Sequence, residues 1–256
     1  MKITLSIVNA KAWLQGIEQD NDLADWAQGG ELPTSFELPK PSFYPKAQLR
    51  RLSPFSKVVL HCLDLPEALN ESLPLIFASR HGDLAQTVEL IKGVATGEDL
   101  SPTQFTLSVH NATTGLFGIA TKNTAETTTI SAGEKTFSAG LLEAAMQAQL
   151  ENTQVIYTYC DFPVPREYEA FEKLQPAHGI TLVLSPLLPN DKANKDRPGK
   201  DKQARISLDL ADMANIDSDN TNSTIESLAF LRAMYLVPEK KLLTCTPLCI
   251  ELDWCA

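Results

Sequence analysis

The stretch Phe105-Thr106-Leu107-Ser108-Val109-His110-Asn111-Ala112-Thr113-Thr114-Gly115 decides how this chain is read. Residues 105–109 place aromatic and β-branched side chains in a run of strand length, and Ala112 opens a short apolar helical segment. Strand, sharp turn and small-residue helix together build a nucleophile elbow: the turn exposes one side chain, and the helix N-terminus behind it stabilises a developing thiolate or oxyanion. The residue at the tip is Asn111. A carboxamide is no nucleophile, so covalent acyl transfer cannot start from it. The pattern is that of a catalytic turn without its reacting group.

Outward from this turn, apolar strands alternate with helical periods. Upstream, Leu75-Ile76-Phe77-Ala78 reads as a buried strand ending in Ser79-Arg80-His81-Gly82. A helix marked by Leu84, Val88, Ile91 and Ala95 follows, and Gly97 is placed to stop it. Farther back, Ser53 and Pro54 supply an N-cap and first helical residue ahead of Phe55, Val58, Val59, Cys62 and Leu63. Residues Ile3 to Val8 read as a strand, Trp13 to Trp26 as partly helical, and Gly29 to Pro45 as a Pro-rich loop. Downstream, Thr127 to Ser131 forms a strand ending at Ala132-Gly133-Glu134, where Glu134 suits a helix N-terminus. Phe137, Leu141, Ala145 and Leu150 mark the next helix, and Val155 to Tyr159 and Ile180 to Leu184 are further strands. The fold class is therefore α/β, a buried mixed sheet flanked by helices.

Beyond residue 188 the pattern changes. Asn190 to Gln203 and Asp217 to Asn222 are polar and read as surface loops, with a strand over Ile206 to Leu210 between them. Ser223 and Glu226 form a capping-box pair ahead of Ile225, Leu228, Leu231 and Tyr235, which predicts a C-terminal helix. Residues 1–188 are accordingly taken as one domain, and 189–256 as a remnant of it or an addition to it.

The 256 residues carry a formal net charge of −10, which argues against sequence-independent nucleic-acid binding because no basic stripe is available to displace phosphate counterions. No apolar run is long enough to span a membrane, and a cytoplasmic setting is expected. The cysteines at 62, 160, 245, 249 and 255 match no metal-ligand spacing, and the glycines form no phosphate-cradling loop, so neither metal nor cofactor is expected.

Three stretches carry a family resemblance: Phe77-Ala78-Ser79-Arg80-His81-Gly82-Asp83, Leu100 to Ala112, and Ala132-Gly133-Glu134-Lys135-Thr136-Phe137. Across roughly residues 1 to 188 the chain resembles the short beta-ketoacyl-synthase-like, N-terminal-domain proteins, or chain-length factors, of bacterial aryl-polyene gene clusters. The resemblance implies a truncated thiolase-like fold, mostly its N-terminal half. Matching Ser108-Val109-His110-Asn111-Ala112-Thr113 to the catalytic turn of active ketosynthases puts Asn111 at the position of the cysteine. It also implies dimerisation through the strand Phe105, Thr106, Leu107, Ser108 and Val109. Most of the second thiolase half, with its two catalytic histidines, is missing.

The reading that follows is a non-catalytic subunit that pairs with an active ketosynthase and meets acyl carrier protein through that complex, shaping the acyl tunnel. Phe105, Phe117 and Phe137 are the bulky tunnel candidates. His81 either holds its turn or lines the dimer contact, and His110 reads as a packed or interface histidine. Asn111 either hydrogen-bonds its own turn or contacts partner or chain. His178-Gly179-Ile180-Thr181 matches the His-Gly-Thr motif of active ketosynthases only superficially. Two other readings stand beside this one: an independent hydrolase or acyltransferase using Cys160 or Ser108, and a scaffold that binds carrier protein without affecting chain length.

Overall fold

A computed structural model describes residues 2–172, 174–187, 204–210, 225–236, 241–245 and 248–254. Along the chain these form β1 (Lys2–Leu14), α1 (Asp20–Ala27), α2 (Pro54–Cys62), α3 (Pro66–Asn70), β2 (Leu75–Ala78), α4 (Leu84–Thr96), α5 (Pro102–Ser108) and α6 (Ala112–Thr121). Then come β3 (Thr127–Ile130), α7 (Thr136–Glu151), β4 (Val155–Asp161), β5 (His178–Pro186), β6 (Ala204–Leu210), α8 (Glu226–Tyr235), β7 (Lys241–Cys245) and β8 (Leu248–Trp254). The strands make one mixed sheet in the order β3-β2-β4-β5-β1-β6-β8-β7. Strands β3, β2 and β4 are parallel, and every pairing from β4 onward is antiparallel.

The sheet separates two hydrophobic clusters. On one face Ile76, Tyr157, Leu182, Ile206 and Ile250 meet α7 and α8; on the other Phe77, Ile156 and Val183 meet α2 and α6. Strand β1 serves the first face throughout its length only because a bulge between Ile7 and Asn9 shifts its parity. Ile3, Leu5 and Ile7 point to that face before the bulge, and Ala12 and Leu14 after it. Helix α7 lies against β2, β4 and β5, and its small residues permit a close approach. A Cβ at Gly140 would stand 2.7 Å from Ala78 Cβ and 2.8 Å from Tyr157 Cε2.

Local signals set the other helix ends. Ser53 Oγ accepts from Ser56 N at 3.1 Å with Pro54 opening α2, and Gly97 ends α4 at φ +73°. The strand expected at Phe105 to Val109 is instead helix α5, with Val109 extended after it. Ser101 Oγ accepts from Gln104 N at 3.4 Å and Pro102 is the first helical residue, the same signature that starts α2. Thr106 Oγ1 then donates to Pro102 O at 2.9 Å within the helix. The segment read as helical from Trp13 splits, since Trp13 still lies in β1, which ends at Leu14, and α1 starts at Asp20.

Beyond residue 188, β6 pairs with β1, and β8 and β7 continue the same sheet, two strands not foreseen from sequence. Helix α8 starts at Glu226 with Ile225 as its N-cap and no side-chain cap; the expected capping-box pair includes Ser223, which lies outside the described residues. The predicted loops 190–203 and 217–222 also lie outside them.

Candidate functional site

The parallel strands β2, β3 and β4 end side by side, and the chemistry of the chain gathers at their carboxyl ends, the edge where open α/β sheets place their sites. Strand β4 is buried at every position and ends in Asp161. Asp161 Oδ1 accepts from Ser79 Oγ and from Arg80 N, both at 2.9 Å, and Tyr159 donates its hydroxyl to Oδ2. Ser79 Oγ in turn accepts from Gly82 N at 2.9 Å. The carboxylate thus fixes the Ser79–Gly82 turn after β2, where Gly82 takes φ +61°. Burial and the neighbouring Asp161 charge hold the Tyr159 hydroxyl well above its usual range, so it remains a donor.

That turn seats both histidines expected near the site. His110 Nε2 lies 2.8 Å from Ser79 O, and its ring packs beside Phe77 and over Gly82, where a Cβ would stand 3.0 Å from His110 Cδ2. His81 Nε2 lies 3.2 Å from Glu172 Oε1, while Arg80 Nη1 lies 2.8 Å from Glu172 Oε2, tying the β4–β5 connection to the same turn.

Asn111 leads α6 at φ −91°, ψ 6° and is exposed; its side chain caps nothing, while its carbonyl accepts from Thr114 Oγ1 and Gly115 N. Of its two readings, hydrogen-bonding its own turn is therefore not what the side chain does. Ala112 is the first residue of α6. The element before this turn is α5, so the segment is helix–turn–helix and not a strand-led elbow. Thr106, Leu107 and Ser108 lie in α5, and Ser108 Oγ donates to Phe105 O at 2.8 Å.

The three phenylalanines share no space. Phe105 is 61% exposed on α5, Phe117 packs under Phe43 on one face of the sheet, and Phe137 meets Tyr157, Tyr159 and Phe230 on the other. Cys160 is fully buried, and desolvation pushes its thiol well above the usual range, the opposite of what a nucleophile needs. His178 opens β5, buried, with Nε2 2.7 Å from Ser227 Oγ and Nδ1 2.9 Å from Pro176 O; burial holds its protonation below the usual range. Its partner from α8, like Asp161, Tyr159 and Glu172, was missed by sequence reasoning. The available signal was an acid closing the otherwise apolar run Val155–Asp161.

A strand–turn–helix does occur at β3, a 3-10 turn (Gly133–Lys135) and α7. Gly133 takes φ +59°, Thr136 Oγ1 donates to Gly133 O at 2.7 Å, and α7 behind the turn is largely buried. Ser131 Oγ donates to Arg80 O at 2.8 Å, linking this turn to the one after β2. The turn offers Glu134 and Lys135 and, like the Asn111 turn, carries no cysteine. Among the described residues no cluster of histidine, cysteine and carboxylates suits a metal ion, and no helix is long and apolar enough to cross a membrane.

The family described as "Beta-ketoacyl synthase, N-terminal domain" matches residues 23–249. Among solved structures, a chain of the ketosynthase ApeO in complex with its chain length factor ApeC from Xenorhabdus doucetiae superposes with a TM-score of 0.76 at 21% identity, covering 98% of this chain and 99% of that one. The ishigamide ketosynthase/chain length factor gives 0.55 at 14% identity, over 91% and 72%. A beta-ketoacyl synthase from Burkholderia phymatum gives 0.52 at 13% identity, over 73% and 60%. No curated protein sequence matches. The fold is the thiolase-like ketosynthase fold, short against the Burkholderia chain and equal in extent to a chain of the Xenorhabdus complex.

Proposed function

We propose that this chain, which belongs to the beta-ketoacyl synthase N-terminal-domain family, is a non-catalytic chain-length-factor subunit that pairs with an active ketosynthase. One observation carries the reading: the turns that lead α6 and α7 are built, and neither bears a nucleophile. Their residues are His110-Asn111-Ala112 at α6 and Gly133-Glu134-Lys135 at α7. The match in extent to a chain of a ketosynthase–chain length factor complex supports it. An independent hydrolase gains no support, since Cys160 is sealed in the core and the Ser108 hydroxyl faces its own helix backbone.

The proposed pairing surface has two features. Among the described residues strand β3 pairs only with β2, and an unpaired sheet edge is a template for a partner strand. Helix α5 has no buried residue and presents Phe105 to solvent, with Val109 exposed just after it. The segment Phe105 to Val109 is proposed as partner surface in this helical form, not as a strand. In the complex, the active subunit supplies the cysteine and histidines and receives carrier-bound chains, as in aryl-polyene assembly in the cytoplasm. This subunit bounds the acyl tunnel through residues that face the partner.

Mild affinity purification from the native host, with stoichiometry of the co-purifying proteins, tests this. An equimolar ketosynthase with a cysteine at its own turn is the expected result; a stable homodimer with no ketosynthase attached sinks it. Given the complex, Phe105→Ala is expected to change product length. Unchanged products from such surface substitutions would leave a carrier-protein scaffold instead.

A further inference from the structure

The first turn of α8 reaches across the core to the start of α7. Glu226 Oε1 lies 2.9 Å from Lys135 Nζ, and Glu226 Oε2 accepts from Ser138 N at 3.3 Å, with the Glu226 side chain only 10% exposed. Helix α7 has no acid in its own first turn and no side-chain cap of its own at Lys135. The first-turn N–H groups of its 16 residues have no carbonyl partner within the helix and carry partial positive charge, and a carboxylate there is stabilising. The next residue of α8, Ser227, grips His178 on β5 at 2.7 Å, so two consecutive residues fasten α8 to two different elements.

We propose that Glu226 is a built-in plug: the carboxylate of α8 occupies the anion position at the N-terminus of α7, where a strand–turn–helix would otherwise face a reacting anion. This inference rests on the non-catalytic reading above and says how the silent turn is closed. A substrate carboxylate or a thiolate meets a helix end already neutralised from within. Ser227 and His178 hold the plug in register.

The test uses the full chain and formate as a stand-in carboxylate. Glu226→Ala is expected to lower the thermal midpoint by on the order of 5 °C, the scale of one charge-assisted hydrogen bond in a chain of this size. Sodium formate should then restore much of that loss relative to sodium chloride at matched ionic strength, and should leave the unsubstituted chain unmoved. Glu226→Asp keeps an acid at the start of α8 but falls one methylene short of α7, so it should lose stability as the alanine variant does. A formate response no greater than chloride in Glu226→Ala overturns the proposal. So does a Glu226→Asp midpoint equal to that of the unsubstituted chain, which remains measurable if the alanine variant does not fold. Partner stoichiometry is read independently, so failure of the plug and failure of the pairing are separate results.

Discussion

Two helix-leading turns of this chain, at Asn111 and at Gly133–Lys135, differ in what lies behind them. The turn at Asn111 joins α5, which buries nothing, to α6, which buries only Thr113, Thr114 and Phe117. The turn at Gly133–Lys135 joins an edge strand to α7, which lies against three strands and buries Phe137, Gly140, Leu141, Ala144, Ala145 and Ala148. The first is held by short-range hydrogen bonds and by His110 Nε2 on Ser79 O, the second by the burial of α7 behind it. Under the proposed pairing, the exposed apolar residues beside the first turn are the surface that meets another chain.

The contrast breaks most directly at the phenylalanines. Phe137→Ala should destabilise the chain by about 3–5 kcal/mol in chemical denaturation, because a fully buried ring among Tyr157, Tyr159 and Phe230 leaves a cavity. Phe105→Ala should stay within about 0.5 kcal/mol, as an exposed side chain does. Comparable losses at the two sites would mean that α5 is covered within the monomer.

Acid should act on the core side. His178 is buried neutral, its protonation held below the usual 6.5 by desolvation, and His61 shifts the same way through burial and nearby Lys11. Below about pH 6.5 the unfolded chain therefore binds protons that the folded chain refuses. Stability should be full above that pH and decline as pH falls, by at most about 1.4 kcal/mol per pH unit for each histidine. Denaturation midpoints across pH 5–8 should show a shallower decline in His178→Asn; an unchanged slope would remove His178 from the account.

Helix α5 is expected to depend on its cap. Ser101→Ala should cost about 0.5–1 kcal/mol and be visible as faster amide exchange confined to 102–108. No change there would mean that packing holds α5 after all. Smallest of all, Asn111→Ala should leave stability within about 0.5 kcal/mol, since the side chain caps nothing. Retained capture of the ketosynthase by that variant would confine Asn111 to the lip of the interface, and lost capture would put it in contact with the partner.

How much of this was legible beforehand varies by segment. Strand β2 was read to the residue, and β4 and β5 were located, because buried strands are unbroken apolar runs; β6 was located by its alternation, and β3 as a run of threonines. The Ser53-Pro54 start of α2 and the Gly97 end of α4 were equally plain. The same Ser-Pro signature stands at Ser101-Pro102, but the β-like run Phe105–Val109 that follows hides helix α5. Glu172 and Ser227 carry no local signal of their roles, because their partners lie tens of residues away.

By itself the sequence determined an α/β chain whose His110-Asn111-Ala112 turn lacks a nucleophile, since a residue's chemistry needs no coordinates to be read. The tertiary structure alone decided which turn stands at the end of a parallel strand, that Glu226 serves α7 and not its own helix, and that Phe105, Phe117 and Phe137 part company. The reason is range: caps and apolar runs are settled within a few residues, whereas sheet order and cross-helix contacts come from hydrophobic burial summed over the whole chain.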